Sequence, residues 1–241
     1  MHAKCEENMK RIAVLCLSHK QDLAQQLITH LDSQLNDIDI FINYSAVSIS
    51  EGYNKLANIV SHEILVFMHH DTLVHFPIIK LCHYFEALPN VGVLGFAGTT
   101  KLTDGCFWWY GGKLYGQVIV NKNETLKYHE TEMTCESPIS TLHYQPIESV
   151  DSLCMTVRSN VFRQVGGYSD YGNDSWLFSD SDFCLKVQEA GYQNYVIREP
   201  VEHPGGDISN IKLWDKTKQE FLKRWGHILK ERQGERFKCY T

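Results

Sequence analysis

Three short stretches of this sequence carry side chains suited to chemistry. In Val66-Phe67-Met68-His69-His70-Asp71 an apolar run ends in two imidazoles and a carboxylate. Such groups are costly to desolvate, and a strand that served only the core would not end in them. One or two carboxylates typically hold a hard divalent cation that keeps its waters and touches substrate phosphates, which makes Asp71 a candidate metal ligand. The competing reading has Asp71 capping a helix that starts near Phe76, with His69 and His70 on the surface. In Ser179-Asp180-Ser181-Asp182 two carboxylates stand at i and i+2 at the start of a helical pattern. They fit a general base equally with a cap that complements the helix dipole, and the spacing does not separate the two. His203 follows a strand-like run and precedes Pro204-Gly205-Gly206, a stretch suited to closing over a ligand.

The elements that must position these residues can be read from hydrophobic periodicity. Apolar runs at 12–18, 38–43, 63–69 and 91–98 predict buried strands. Between them, Leu23, Leu27, Leu31 and Leu35 share one helical face, 50–62 forms a second helix with Ser50 placed to cap it, and 76–88 forms a third. Apolar strands alternating with amphipathic helices predict an α/β fold with a mostly parallel central sheet covered on both faces. Ligands in such sheets bind at the carboxyl ends of the strands, where His69 to Asp71 fall. The pattern loosens over 99–145, which reads as a small β-rich excursion. It resumes with a strand and short helix in 149–168, a helix over 179–192 started by Ser179 or Asp180, and a strand at 194–199.

The 241 residues carry 23 Lys and Arg against 29 Asp and Glu, a net charge of −6. Nine of the basic and four of the acidic residues lie in 212–241, so that tail is +5 and the rest of the chain is −11. An acidic body argues against nucleic acid as a partner. The tail's apolar stripe (Trp214, Phe221, Leu222, Trp225, Ile228, Leu229) permits a peripheral contact of 212–238 with an anionic membrane face or packing on its own domain. The eight cysteines are scattered without metal-site spacing, and the polar opening MHAKCEENMK lacks the apolar core of a secretory signal. Together these predict a cytoplasmic protein, with contact at the inner membrane face if the tail binds there.

The segments GYNKLANIVSHEILVFMHHD (52–71), VGVLGFAG (91–98), WWYGGKLYGQV (108–118), VDSLCMTVRSNVFRQVGGY (150–168) and SDSDFCLKVQEAGY (179–192), followed by His203, occur in an order that resembles family-2-like glycosyltransferases of the GT-A fold. The likeness is to the short bacterial-type members with an HxD version of the DxD motif. It implies a Rossmann-like domain over 11–210, with a nucleotide-binding half (11–98) and an acceptor and catalytic half (99–210). A polar tail (1–10) and a basic amphipathic helix (211–241) flank it. It implies Mn2+ or Mg2+ held by Asp71 and His203, and a nucleoside-diphosphate sugar, a UDP-sugar first, as donor. His69, Ser18, His19, Asn54 and Asp151 would meet that donor, although Asn54 could instead tie its helix down. Asp180 would be the catalytic base of an inverting transfer to a surface-glycan or lipid-linked acceptor, with Asp182 a supporting acid.

Two positions depart from the family pattern. Asn43-Tyr44-Ser45 stands where an acid often reads the base, and Ser179 replaces an acidic neighbour of Asp180. A nucleotide-sugar-binding module without catalysis and a His/Asp metallohydrolase remain as alternatives. The aromatic run Phe107-Trp108-Trp109-Tyr110 fits either a sugar face or a core plug.

Overall fold

The computed structural model describes residues 10–103, 108, 111–121, 124–128, 135–136, 142–172, 176–204 and 211–231. Its first half alternates as the periodicity requires: β1 (Ile12–Leu17), α1 (Gln21–Leu31), β2 (Ile38–Asn43), α2 (Ile49–Ile59), β3 (Ile64–His69), β4 (Leu73–Val74), α3 (Lys80–Ala87), β5 (Val91–Gly95) and β6 (Ala97–Thr99). Then come β7 (Leu114–Asn121), β8 (Glu124–Tyr128), β9 (Cys135–Glu136), β10 (His143–Ile147), β11 (Ser149–Val150) and β12 (Cys154–Arg158). The chain finishes with α4 (Ser159–Gln164), α5 (Ser179–Glu189), β13 (Gln193–Ile197), β14 (Val201–Glu202) and α6 (Ile211–Glu231).

Among the described residues an eight-stranded sheet runs β2-β1-β3-β12-β5-β13-β10-β9, and a smaller one runs β11-β6-β7-β14-β4 with β8 beside β7. β1 is buried on both faces: Ile12, Val14 and Cys16 join one core cluster while Ala13, Leu15 and Leu17 join the other. The α/β expectation holds, and the sheet is mixed. β2, β1 and β3 are parallel, as are β5 and β13, but β12 enters antiparallel between β3 and β5. Burial on both faces leaves no alternation to record strand direction; the sheet expected to be mostly parallel is instead mixed.

The reversal matters for function. Antiparallel pairing of Cys154 with Met68 brings the start of β12 to the carboxyl end of β3. The amide of His69 donates to Leu153 O at 3.0 Å, and Thr72 Oγ1 donates to the same carbonyl at 3.0 Å. The predicted 91–98 strand likewise divides at Phe96, β5 staying in the large sheet and β6 crossing to the small one.

Three helix starts differ from expectation. Ser48, not Ser50, caps α2 by accepting the Glu51 N–H at 3.1 Å. α3 starts only at Lys80, after Pro77, with Ile79 at its N-cap, so Asp71 caps nothing there. α5 has no side-chain cap from Ser179 or Asp180; Phe178 precedes it in the left-handed conformation at φ 62°. The apolar stripe of α6 belongs to the domain's own core, where Phe221, Trp225 and Leu229 are buried in one cluster with β1 and β3 residues. Three of its charges have partners: Lys223 pairs with Glu220, Lys218 lies over the Trp214 ring, and Arg224 donates to Ser169 Oγ. Residues 232–238 lie outside the described residues. Cys16, Cys82, Cys154 and Cys184 are buried free thiols. No helix among the described residues is long and apolar enough to cross a membrane.

Candidate active site

The parallel register aligns Leu17, Asn43 and His69 along the carboxyl edge of β2-β1-β3. Just beyond β3 the chain turns sharply, with the Thr72 amide donating to His69 O at 3.2 Å. That turn carries Asp71, and the small sheet supplies its partner. β14 pairs antiparallel with β4, Glu202 opposite Leu73, so the next residue, His203, arrives beside the turn. The His203 amide is fixed on Ile119 O at 2.9 Å.

His69, Asp71 and His203 consequently form a cluster whose ligating atoms all lie within 4.8 Å of one another. His203 Nε2 is 3.3 Å from Asp71 Oδ1 and 3.4 Å from His69 Nδ1. The side chains of His203 and Asp71 are recessed, at 17% and 30% exposure. Burial, helped by the facing His203, holds the His69 imidazole down near 4. It is therefore a neutral lone-pair donor at neutral pH. Burial pushes the Asp71 carboxyl up, but the hydrogen bond and charge of His203 outweigh it and hold the group near 2. Burial lowers His203, and its contacts with Asp71 more than reverse this. An ionised carboxylate and a neutral imidazole facing a second imidazole suit a divalent cation as a donor set. The resemblance gave His69 a less direct contact with ribose or metal; the structure brings it into one cluster with Asp71 and His203 that could hold a metal ion.

Asp151 joins this cluster to the carboxylate on α5. Its Oδ1 accepts the Leu153 amide at 3.0 Å, and the buried Trp108 side chain hydrogen-bonds the same carboxylate. Its charge acts on His203 and on Asp180. Asp180 sits in the first turn of α5, where its Oδ1 accepts the Ser181 amide at 2.7 Å. Burial, reinforced by Asp151, pushes Asp180 up to about 7, against the opposing pull of nearby backbone N–H groups. A carboxylate poised near neutrality is suited to general base work.

The remaining expected site residues divide. Ser18 is buried at the end of β1, its amide donating to Asn43 O and its hydroxyl to Lys20 O. His19 is exposed beside it and makes an edge contact with Trp176 at 5.5 Å between ring centres. Asn54 ties its helix down: its amide donates to Tyr168 O and its carbonyl accepts the Tyr168 N–H, both at 2.9 Å. Those bonds occupy it away from the cluster. Asp182 is fully buried and faces α6, bonded to Tyr171 and Trp225. Of the aromatic run, Trp108 is a core plug; Phe107, Trp109 and Tyr110 lie outside the described residues.

Solved structures share this architecture. The catalytic domain of Drosophila β1,4-galactosyltransferase 7, in complex with xylobiose, superposes with a TM-score of 0.51 at 16% identity, covering 87% of this chain and 80% of that one. The mannosyltransferase PcManGT from Pyrobaculum calidifontis, in complex with GDP-Man and Mn2+, gives 0.54 at 9% identity over 91% of this chain and 64% of that one. GalNAc-T7 with UDP, GalNAc and Mn2+ gives 0.52 at 10% identity over 95% and 55%. The chain thus spans less than two thirds of the latter two, and the likeness establishes the GT-A fold. No curated protein sequence matches it. Residues 13–225, from β1 into α6, match the glycosyltransferase-like family, and the chain belongs to that family.

Proposed function

We propose that this protein is a metal-dependent, inverting glycosyltransferase. It transfers a sugar from a nucleoside-diphosphate sugar, a UDP-sugar first, to a hydroxyl of a surface-glycan or lipid-linked acceptor. The observation that carries the proposal is the pairing of two unlike sites across Asp151. The His69–Asp71–His203 cluster suits a cation, and the Asp180 carboxyl is held near neutrality. The Mn2+ and nucleotide sugars bound in the PcManGT and GalNAc-T7 structures support the same reading.

In this mechanism His69, Asp71 and His203 would hold Mn2+ or Mg2+, which would supply positive charge to offset that of the departing diphosphate. Ser18 and His19, at the end of β1 beside Asn43, meet the nucleotide. Asp151 lies between the cluster and the base, where the transferred sugar's hydroxyls reach it. Asp180 accepts the proton of the acceptor hydroxyl as that oxygen bonds to the anomeric carbon and the bond to the diphosphate breaks. A single displacement of this kind inverts the anomeric centre. Contact with a membrane through α6 is no part of the proposal, since its stripe is already covered by the core.

A thermal-shift panel of UDP- and GDP-sugars, each with and without Mn2+, tests this directly. Ligand at about 100 times its Kd stabilises by roughly 2.7 kcal/mol, so one donor is expected to raise the melting temperature by several degrees with Mn2+ and little without it. No Mn2+-dependent shift from any donor contradicts the proposal. A shift without release of nucleoside diphosphate would mark a binding module. Two imidazoles among three donors also suit zinc; zinc retained through purification, with no donor response, would mark a metallohydrolase.

A further inference from the structure

Asp182 is a carboxylate with no exposure. Its Oδ1 accepts the Tyr171 hydroxyl at 2.6 Å and the Trp225 indole N–H at 2.7 Å, with Arg224 Nη1 at 3.4 Å. Oδ2 is buried without a partner. Holding a charge in such a place is costly and is seldom the stable choice over apolar packing.

The contacts converge on the first turn of α5. The Asp182 amide donates to Phe178 O at 2.9 Å, closing the turn that carries Asp180. Phe178 itself is in the left-handed region, which costs a bulky residue strain, and no side chain caps the helix. What holds it is α6: its ring stacks on Phe221 at 5.4 Å and lies 6.0 Å from Trp214. Arg224 also fastens Ser169, ahead of Tyr171, at 2.6 Å. These ties from α6 reach Ser169, Tyr171 and Phe178, ahead of Asp180, and Asp182 in its first turn.

We infer that Trp225 and Tyr171, acting through Asp182, are positioning residues that set the placement of the Asp180 carboxylate, making α6 part of the catalytic apparatus. The inference rests on Asp180 being the base. A misplacement of about 1 Å can cost on the order of 10²-fold in rate, which sets the scale of the expected effect.

The test uses Trp225→Phe and Tyr171→Phe, which keep the rings and remove single donors to Asp182. Release of nucleoside diphosphate is measured with the UDP- or GDP-sugar that the parent turns over fastest, with Mn2+. Each variant is expected to lose about 10- to 100-fold in kcat while the Mn2+-dependent donor shift stays within error of the parent. The acid limb of the kcat profile should move to lower pH, because a loosened first turn hydrates Asp180. Kcat within twofold of the parent in both variants overturns the inference, as does a loss confined to donor binding. If Trp225→Phe fails to fold, Tyr171→Phe decides alone. Asp180→Asn run in parallel separates the failures: full activity there removes the base assignment, whereas an inactive Asp180→Asn beside fully active Trp225→Phe and Tyr171→Phe removes only the positioning role.

Discussion

Asp180→Asn is expected to fold, to keep Mn2+-dependent donor binding, and to lose about 10²- to 10⁴-fold in transfer, the range that a positioned general base supplies. The replacement is close to isosteric and can still engage the Ser181 amide, so the loss reports proton transfer and not collapse of the helix start. The parent's pH dependence provides an independent reading. With Asp180 pushed up to about 7, the ionised fraction grows through neutrality, and kcat should rise roughly tenfold per pH unit on the acid side before levelling above about 7. The stability effect has the opposite sense. A carboxyl raised in the folded state contributes stability below its unfolded value and loses it as pH rises through the folded one. Asp180→Asn cannot ionise, so it should melt above the parent at pH 8 and match it near pH 4. Transfer near the parent rate, or an unchanged acid limb, removes Asp180 from the mechanism.

Asp71→Ala is expected to abolish metal-dependent turnover. Asp71 is the only oxygen donor in the cluster, and Mn2+ and Mg2+ favour oxygen ligands. Loss of several kcal/mol of charge stabilisation on the leaving diphosphate corresponds to a rate loss of at least about 10²-fold. The substitution should be tolerated by the fold, because Asp71 lies on a turn and its side-chain contact is to His203 alone among the bonds that fix the cluster. Circular dichroism and the melting profile check this. Unchanged turnover with Mn2+ would sink the cluster as the metal site.

Much of this arrangement was legible in the residues themselves. The alternation of apolar strands and amphipathic helices located β1 to β3, and the polar end of β3 located half of the site. Asp180 was marked by its place at a helix start. What periodicity could not supply was direction and long-range pairing. β12 is buried like β3 and β5 on either side of it, so nothing in its pattern said that it would run backwards and carry residues 151–153 to the end of β3. His203 reaches Asp71 through a two-residue strand too short to leave a pattern. Asp182 stood two residues from Asp180 with the same side chain; only the fold shows it bonded to Trp225, 43 residues away along the chain. Phe178 carries no sequence mark of its left-handed backbone, since glycine is the usual signal for that conformation.

These residues make one claim together: that His69, Asp71 and His203 hold the cation through which a nucleoside diphosphate binds. Titration calorimetry of UDP and GDP into the protein, in Mn2+ and again in EDTA, tests it most directly. One of the two nucleotides is expected to bind in Mn2+, to lose that binding in EDTA, and to lose it likewise with Asp71→Ala in Mn2+. Equal affinity with and without the metal, or undiminished binding by Asp71→Ala, would contradict it.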